Sequence, residues 1–162
     1  MRYNPSMKKA LVLLTTHALV ALLGFAAGIY VLPLLIAPPA PEATEVGALA
    51  AKAQFSGQFR RDLAGSDALH WGEGTVSVGP TMVALQGRLA PGPDYKLYLA
   101  PAFVQDEAGF LRIKADSLRV GDVKTFENFI VALPPGVDLA RYNTVVVWCE
   151  TFKEFISAAA YR

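Results

Sequence analysis

Cys149 carries the most reactive side chain in this sequence, and it is the only cysteine among the 162 residues. A lone cysteine cannot form a disulfide within the chain, so the paired-cysteine signatures of structural zinc, a CxxC redox switch and CxxCH haem attachment are excluded. Redox chemistry would require a partly exposed thiol, with a histidine or another base that favours the thiolate. The alternative is a small apolar side chain in a buried strand, which the preceding valines and Trp148 favour.

His70 and Trp148 are two further residues that could serve such chemistry. His70 would lower the pKa of Cys149 or ligate a cofactor; alternatively, it is a loop histidine that bonds to the backbone. Trp148 would stack on a partner or relay an electron, although an aromatic side chain in a central strand usually belongs to the core. Haem or metal binding through His70 is a third alternative, for which one histidine and one cysteine provide few ligands. No motif implies a particular cofactor.

The acidic residues form no recognisable catalytic or metal-binding motif. The Gly-Pro-Asp run at residues 92–94 indicates a tight turn, and the four acids between residues 106 and 122 lack the spacing of calcium ligands. GxSxG, HExxH, Walker A and dinucleotide-binding fingerprints are absent from the sequence. The sequence therefore predicts no metal site, gives no support to a hydrolase or a nucleotide-binding enzyme, and favours a protein that is not an enzyme.

Charge is distributed unevenly along the chain. Apolar residues make up 53% of the sequence and charged residues only 18%, which is low for a soluble domain. Residues 10–37 contain no charged side chain, and all fourteen acids follow Pro41. Three of the fifteen bases lie in the first nine residues, so the remainder is nearly neutral. Because nucleic-acid recognition requires a concentrated basic face, that class of function is excluded.

The uncharged segment predicts one transmembrane helix over residues 10–37. About 20 apolar residues suffice to cross a bilayer, and this stretch is longer than the core of a signal peptide, so we expect an uncleaved anchor. The bases of residues 1–9 favour a cytoplasmic N-terminus, with the rest of the chain in the periplasm or outside the cell. His17 lies within the span and has no predicted role. Gly24 and Gly28 form one GxxxG motif, which indicates a weak homodimer.

The remainder of the chain predicts a Pro/Ala-rich linker over residues 38–53 and a β-rich domain over residues 54–162. Short apolar or alternating runs recur there between turn signals, a pattern typical of an antiparallel β-sandwich or a barrel-like domain. The strand that ends near Cys149 does not alternate, so we expect it to be central and buried on both faces. Seven strands are predicted, over residues 54–61, 74–78, 81–89, 96–100, 117–120, 128–132 and 143–150.

Four separated pieces of the domain resemble the DM13 family. They correspond to that family's HxxxGxV opening, its GPDxxxYL strand, its proline-led VDL…Y connection and its terminal VVIWCxxF strand. The pieces lie at residues 70–76, 92–99, 133–142 and 145–152, and the resemblance covers residues 54–162. Residues 103–129 depart from the family's usual connector. The resemblance implies an extracytoplasmic β-rich domain in electron transfer, sometimes found beside DOMON or cytochrome b561-like modules, with Cys149 and His70 at the family's cysteine and histidine positions.

Two hypotheses of different classes follow. The first is a membrane-tethered domain with an electron-transfer or thiol-redox role centred on Cys149, with His70 as a tuning neighbour and Trp148 as a contact for a separate redox protein. The second is a non-catalytic binding or envelope-structural module in which the cysteine is only packed. An accessible and acidic Cys149 would separate the first from the second.

Overall fold

The computed structural model describes residues 5–162, with side chains from Ser6 onward, and it begins with one long helix, α1 (Pro5–Ile36). Among the described residues, this is the one helix long and apolar enough to cross a membrane by length and composition, with a mean hydropathy of 2.5. Pro33 lies inside α1, and the helix continues for three residues beyond it. Of the predicted cytoplasmic segment, residues 1–4 lie outside the described part of the chain.

A second helix, α2 (Ala43–Ala50), occupies part of the predicted linker. Its Val46 is buried against Met82 and Ala84 of the β domain. The Asn128 side chain also donates a hydrogen bond to the Pro41 carbonyl at 3.1 Å. Pro41 and Val46 therefore contact the domain, within the segment that the sequence predicts as a Pro/Ala-rich linker.

Two antiparallel four-stranded sheets form a β-sandwich, which confirms the predicted fold class. Sheet one has the order β1-β2-β3-β6, and sheet two has the order β5-β4-β7-β8. Short 3-10 helices occupy Lys114–Asp116 and Leu139–Arg141. The strands are β1 (Phe55–Phe59), β2 (Gly72–Val78), β3 (Met82–Leu89), β4 (Tyr95–Ala100), β5 (Leu118–Val123), β6 (Glu127–Ala132), β7 (Thr144–Cys149) and β8 (Glu154–Ala160).

The eighth strand is the element that the sequence pattern missed. β8 reads EFISAAA, and its alanines have low β-propensity, so the segment lacks the β-branched signature of a strand. Tertiary pairing decides its conformation: β8 adds to β7 along its length, from Thr144 opposite Ala160 to Cys149 opposite Glu154. It forms one edge of sheet two.

The predicted central strand is β7, and all six of its residues are buried. Val145, Val147 and Cys149 point into the core between the two sheets. Val146 and Trp148 point to the opposite face of sheet two, where Phe110 and other apolar residues cover them. Phe110 belongs to a third helix, α3 (Glu107–Ile113), inside the segment that departs from the family connector. Asp106 caps the N-terminus of this helix, and its side chain accepts a hydrogen bond from the Gly109 amide at 2.6 Å.

Gly74 explains one position of the HxxxGxV piece. Its φ of +120° is a conformation that side-chain-bearing residues rarely adopt. An added Cβ would also lie 2.3 Å from the Gln86 carbonyl oxygen on β3. A glycine is therefore required for β2 and β3 to pair closely at this point, just beyond the loop that carries His70.

Candidate functional site

Cys149 lies at the end of β7, and its side chain is only 2% exposed. In the sheet it pairs with Tyr95 on β4 and with Glu154 on β8. Cys149 also borders a cavity of about 550 Å³ whose opposite wall is α1, at Ala26, Ile29 and Tyr30. The thiol is thus shielded from bulk water, yet it lies next to a space between the domain and the apolar helix.

Burial raises the pKa of the Cys149 thiol above its ordinary value. The backbone amides of Phe152, Asp94 and Thr151 act in the opposite direction, because N–H groups stabilise a thiolate, and the nearby Asp94 carboxylate raises the pKa further. Burial has the largest effect, so the resting group at neutral pH is the protonated thiol. The thiol-redox hypothesis had expected an acidic, accessible cysteine, and this cysteine is neither.

His70 lies on the same cavity as Cys149, and its position is fixed by Asp67. One carboxylate oxygen of Asp67 accepts hydrogen bonds from the backbone amides of Leu69 and His70, each at 2.7 Å. The other lies 3.0 Å from His70 Nδ1. The hydrogen bond from His70 is the main influence that lowers the pKa of Asp67, so Nδ1 donates to an ionised carboxylate. In the neutral ring, Nε2 is then the nitrogen that can accept a proton, while any effect of His70 on the Cys149 pKa stays a prediction.

Tyr95 is the cavity residue that the sequence reasoning missed. Its side chain is 3% exposed, and its hydroxyl forms no hydrogen bond within residues 6–162. Burial is the main influence that raises the pKa of Tyr95 above its ordinary value. Tyr95 lines the same cavity as Cys149 and Tyr30. A Cβ on Gly92 would lie 2.4 Å from this hydroxyl, so the glycine of the GPDxxxYL piece makes room for the ring. The tyrosine that the GPDxxxYL pattern specifies is Tyr98, and position 95 is left open, so the sequence carried no signal for Tyr95.

Trp148 does not reach the Cys149 cavity, because adjacent residues of a strand point to opposite faces. Its ring is fully buried, with its centroid 5.1 Å from that of Phe110. Lys114 Nζ lies 5.2 Å from the Trp148 ring and 2.6 Å from Glu150 Oε2. The hydroxyl of Tyr98 donates to the same carboxylate. The structure therefore brings Cys149 and His70 to one cavity and places Trp148 in a separate, packed cluster.

An ion-pair cluster supports the turn beside the cavity. Lys96 Nζ lies 2.6 Å from Asp94 and 2.9 Å from Asp122, and the Thr151 hydroxyl donates to Asp94 at 3.0 Å. Lys96 is the main influence that lowers the pKa of Asp94, so that carboxylate stays ionised. These contacts join the loop after β3 to the β7–β8 turn. Within residues 6–162, no three His, Cys, Asp or Glu side chains converge as a metal ion would require.

Comparison with known families identifies the domain. The family model described as Electron transfer DM13 matches residues 58–161, about two thirds of the chain and nearly all of the sandwich. No curated protein and no solved structure matches the chain. The match spans β2, β4 and β7, where the HxxxGxV, GPDxxxYL and VVIWCxxF pieces lie, and it confirms the resemblance seen in the sequence. The chain therefore belongs to the DM13 family of electron-transfer domains.

Proposed function

We propose that this protein is a membrane-tethered electron-transfer domain in which the Cys149 thiol exchanges electrons with a separate redox protein. The observation that carries the proposal is the shared cavity of Cys149, His70 and Tyr95 at the end of the sandwich that faces α1. A single cysteine cannot alternate between a thiol and a disulfide without a second thiol, so the second sulfur has to come from the partner. The cavity leaves space beside a thiol that is otherwise enclosed.

The proposed step is thiol–disulfide exchange. The Cys149 thiol loses its proton, and Sγ attacks one sulfur of a disulfide on the partner. A mixed disulfide forms as the partner's S–S bond breaks, and the released thiolate takes up a proton. Because burial raises the pKa of Cys149, the thiolate is a minor species at neutral pH. His70 supplies the proton acceptor in this proposal, since its Nδ1 is engaged by Asp67 and Nε2 remains to accept.

The proposed orientation places the domain outside the cytoplasm. Lys8 and Lys9 precede the apolar stretch of α1, and the next base in the chain is Lys52. Basic residues at one end of a span favour the cytoplasmic side. Arg2 adds to the same flank but lies outside the described residues.

A weak homodimer through α1 remains part of the proposal. A Cβ added at Gly24 or Gly28 would meet no atom within 4 Å, so this stretch of the helix can approach another helix closely. Gly28 also borders the groove between α1 and Phe152 of the domain. A helix partner at Gly28 would therefore lie near the entrance to the Cys149 region.

The second candidate function is a non-catalytic binding or envelope-structural module with a packed cysteine. The 2% exposure of Cys149 and its raised pKa favour this alternative, because buried thiols are generally inert. The two candidates differ in whether the thiol reacts in the folded protein.

Exchange with a small aromatic disulfide that releases a coloured thiol tests the proposal on the full-length, reduced protein in lipid nanodiscs. We expect one equivalent of coloured thiol per folded chain, and none from Cys149→Ser. His70→Ala should slow the reaction by about tenfold or more, because a positioned base is lost. His17→Ala is the matched control, since His17 lies in α1 with its ring bonded to the Leu13 carbonyl. Release that begins only on denaturation would support the packed-cysteine alternative.

A further inference from the structure

The cavity beside Cys149 lies at a depth that a lipid-soluble molecule can reach. The uncharged stretch of α1 begins at Ala10, and about 20 helical residues cross the bilayer core. Counted from Ala10, the first 20 residues of the predicted span end at Ile29. In this placement Ala26 and Ile29 lie at the outer edge of the core and Tyr30 lies at the interface, where tyrosine is favoured. These three residues form the α1 wall of the cavity.

Apolar side chains of the domain continue this surface toward the bilayer. Leu69 and Phe152 both line the cavity, and they are 55% and 48% exposed. Ile156 and Pro91 line it deeper in the domain. The cavity volume of about 550 Å³ falls within the range of small-molecule sites, so it can hold one ring-sized group with an apolar body.

The charged side chains that line the cavity favour a neutral ligand over an anionic one. Its lining contains no lysine or arginine, and its one carboxylate belongs to Glu154. An anionic lipid headgroup or a fatty acid would find no cation there and would meet a like charge. The other ionisable groups of the lining are the thiol of Cys149, the imidazole of His70 and the phenols of Tyr30 and Tyr95.

One polar group in the cavity lacks a partner. The Tyr95 side chain is 97% buried, and among residues 6–162 nothing accepts a hydrogen bond from its hydroxyl. The hydroxyl oxygen is not among the fully enclosed unpartnered atoms of residues 6–162, so it is open to the cavity, where a ligand carbonyl could accept its hydrogen bond. The site thus matches an apolar ring that carries a carbonyl oxygen at the point nearest Tyr95 and Cys149.

We infer that this cavity binds the ring of a neutral, lipid-soluble quinone that enters from the bilayer, an inference that rests on the proposed electron-transfer role. The Tyr95 hydroxyl donates to one quinone carbonyl, and the apolar tail leaves between α1 and Phe152. A quinone beside Sγ can accept the two electrons and two protons that are released when Cys149 and a partner thiol join in a disulfide. This reaction gives one hydroquinone for each disulfide bond formed.

Photolabelling tests the site without relying on thiol chemistry. Full-length Cys149→Ser protein in nanodiscs of neutral phospholipid is illuminated with an azidoquinone, and the labelled peptides are mapped by mass spectrometry. We expect saturable labelling near residues 26–30 and 149–156 that a decyl-substituted quinone competes away and 1-decanol does not. Tyr95→Phe should weaken the competition by about 3- to 10-fold, the value of one hydrogen bond.

A pair of substitutions on α1 provides the matched control. Ala26→Trp fills the cavity from the helix side and should abolish the saturable labelling. Ala27→Trp adds the same bulk at the next residue, which is exposed and does not line the cavity, and should leave labelling unchanged. Equal competition by 1-decanol, or equal effects of the two tryptophans, would overturn the quinone site. The disulfide-exchange assay would be unaffected by that result, so failure of the quinone site and failure of the thiol role are distinguishable.

Discussion

Trp148→Ala is expected to lower the free energy of unfolding by about 3–5 kcal/mol, the usual cost of truncating a large core aromatic residue. The Trp148 ring is fully buried and is the largest side chain in that class. It packs on Phe110, which in turn contacts Tyr98 at a ring distance of 5.2 Å. Truncation would leave a cavity between sheet two and α3, and a packed sandwich can close such a cavity only in part.

Trp71→Ala provides the control for Trp148→Ala. Trp71 is half-buried, and the Arg61 guanidinium covers its ring at 3.3 Å. Its truncation should cost only about 1 kcal/mol, because less surface is lost and a cation–π contact at an exposed site is weak. Urea unfolding of full-length protein in detergent, followed by circular dichroism, measures both changes. A Trp148→Ala loss no larger than that of Trp71→Ala, together with a loss of disulfide exchange, would instead assign Trp148 to electron transfer.

The alkylation rate of Cys149 is expected to keep rising with pH beyond the point at which the same thiol levels off in unfolded protein. A free thiol titrates at about pH 8.5, and burial raises the pKa of Cys149 in the folded state. At neutral pH the folded protein should therefore react more slowly than the unfolded chain, by about tenfold for each unit of pKa difference. Parallel alkylation from pH 6 to pH 11, with and without urea, measures the two profiles.

The raised pKa of Cys149 also makes the stability of the protein depend on pH, because deprotonation of the thiol is thermodynamically linked to unfolding. A folded-state pKa above the unfolded value means that the Cys149 contribution is fully present below the unfolded pKa and is lost as pH rises through the folded pKa. Tyr95, Tyr98 and Tyr161 also have raised pKa values and add losses of the same sign at higher pH. Cys149→Ser isolates the cysteine, because it should remove only the first part of the alkaline loss. A folded-state midpoint below that of the unfolded chain would reverse the sign and indicate a stabilised thiolate.

Local sequence patterns predicted the strands and turns that are determined by the residue types of short segments. The valine run before Trp148 identified β7 as a buried central strand, and the turn residues separated most of the other strands correctly. β8 was not predicted from the sequence, because its alanines have low β-propensity and its conformation comes from pairing with β7. α3 was not predicted from the sequence, because its seven residues are too few to show the periodic apolar pattern of a helix. The burial of Phe110 against Trp148 stabilises it.

The sequence proposed Cys149 and His70 as candidate site residues but gave no indication of the shape of the cavity between them. The types of Cys149 and His70 indicated chemistry, and the DM13 resemblance paired them. The cavity that joins them depends on α1 lying beside the domain, and no local pattern reports that Tyr30 lines the same cavity as residues more than sixty positions away. Tyr95 lies just before the strand predicted over residues 96–100 and was given no role, since an unpartnered hydroxyl becomes visible only when its surroundings are known.

The most direct test of the central claim is the labelling rate of Cys149 as a function of urea at fixed pH, for full-length protein in detergent. If the cavity gives access to the thiol in the folded state, the rate at low urea should be independent of urea and should rise only when global unfolding begins. A small alkylating agent should show this plateau, and a bulky one should not. A rate that follows the unfolding free energy down to zero urea for both agents would show that Cys149 is reached only by unfolding. The thiol role would then be wrong, and the cysteine would be a packed core residue.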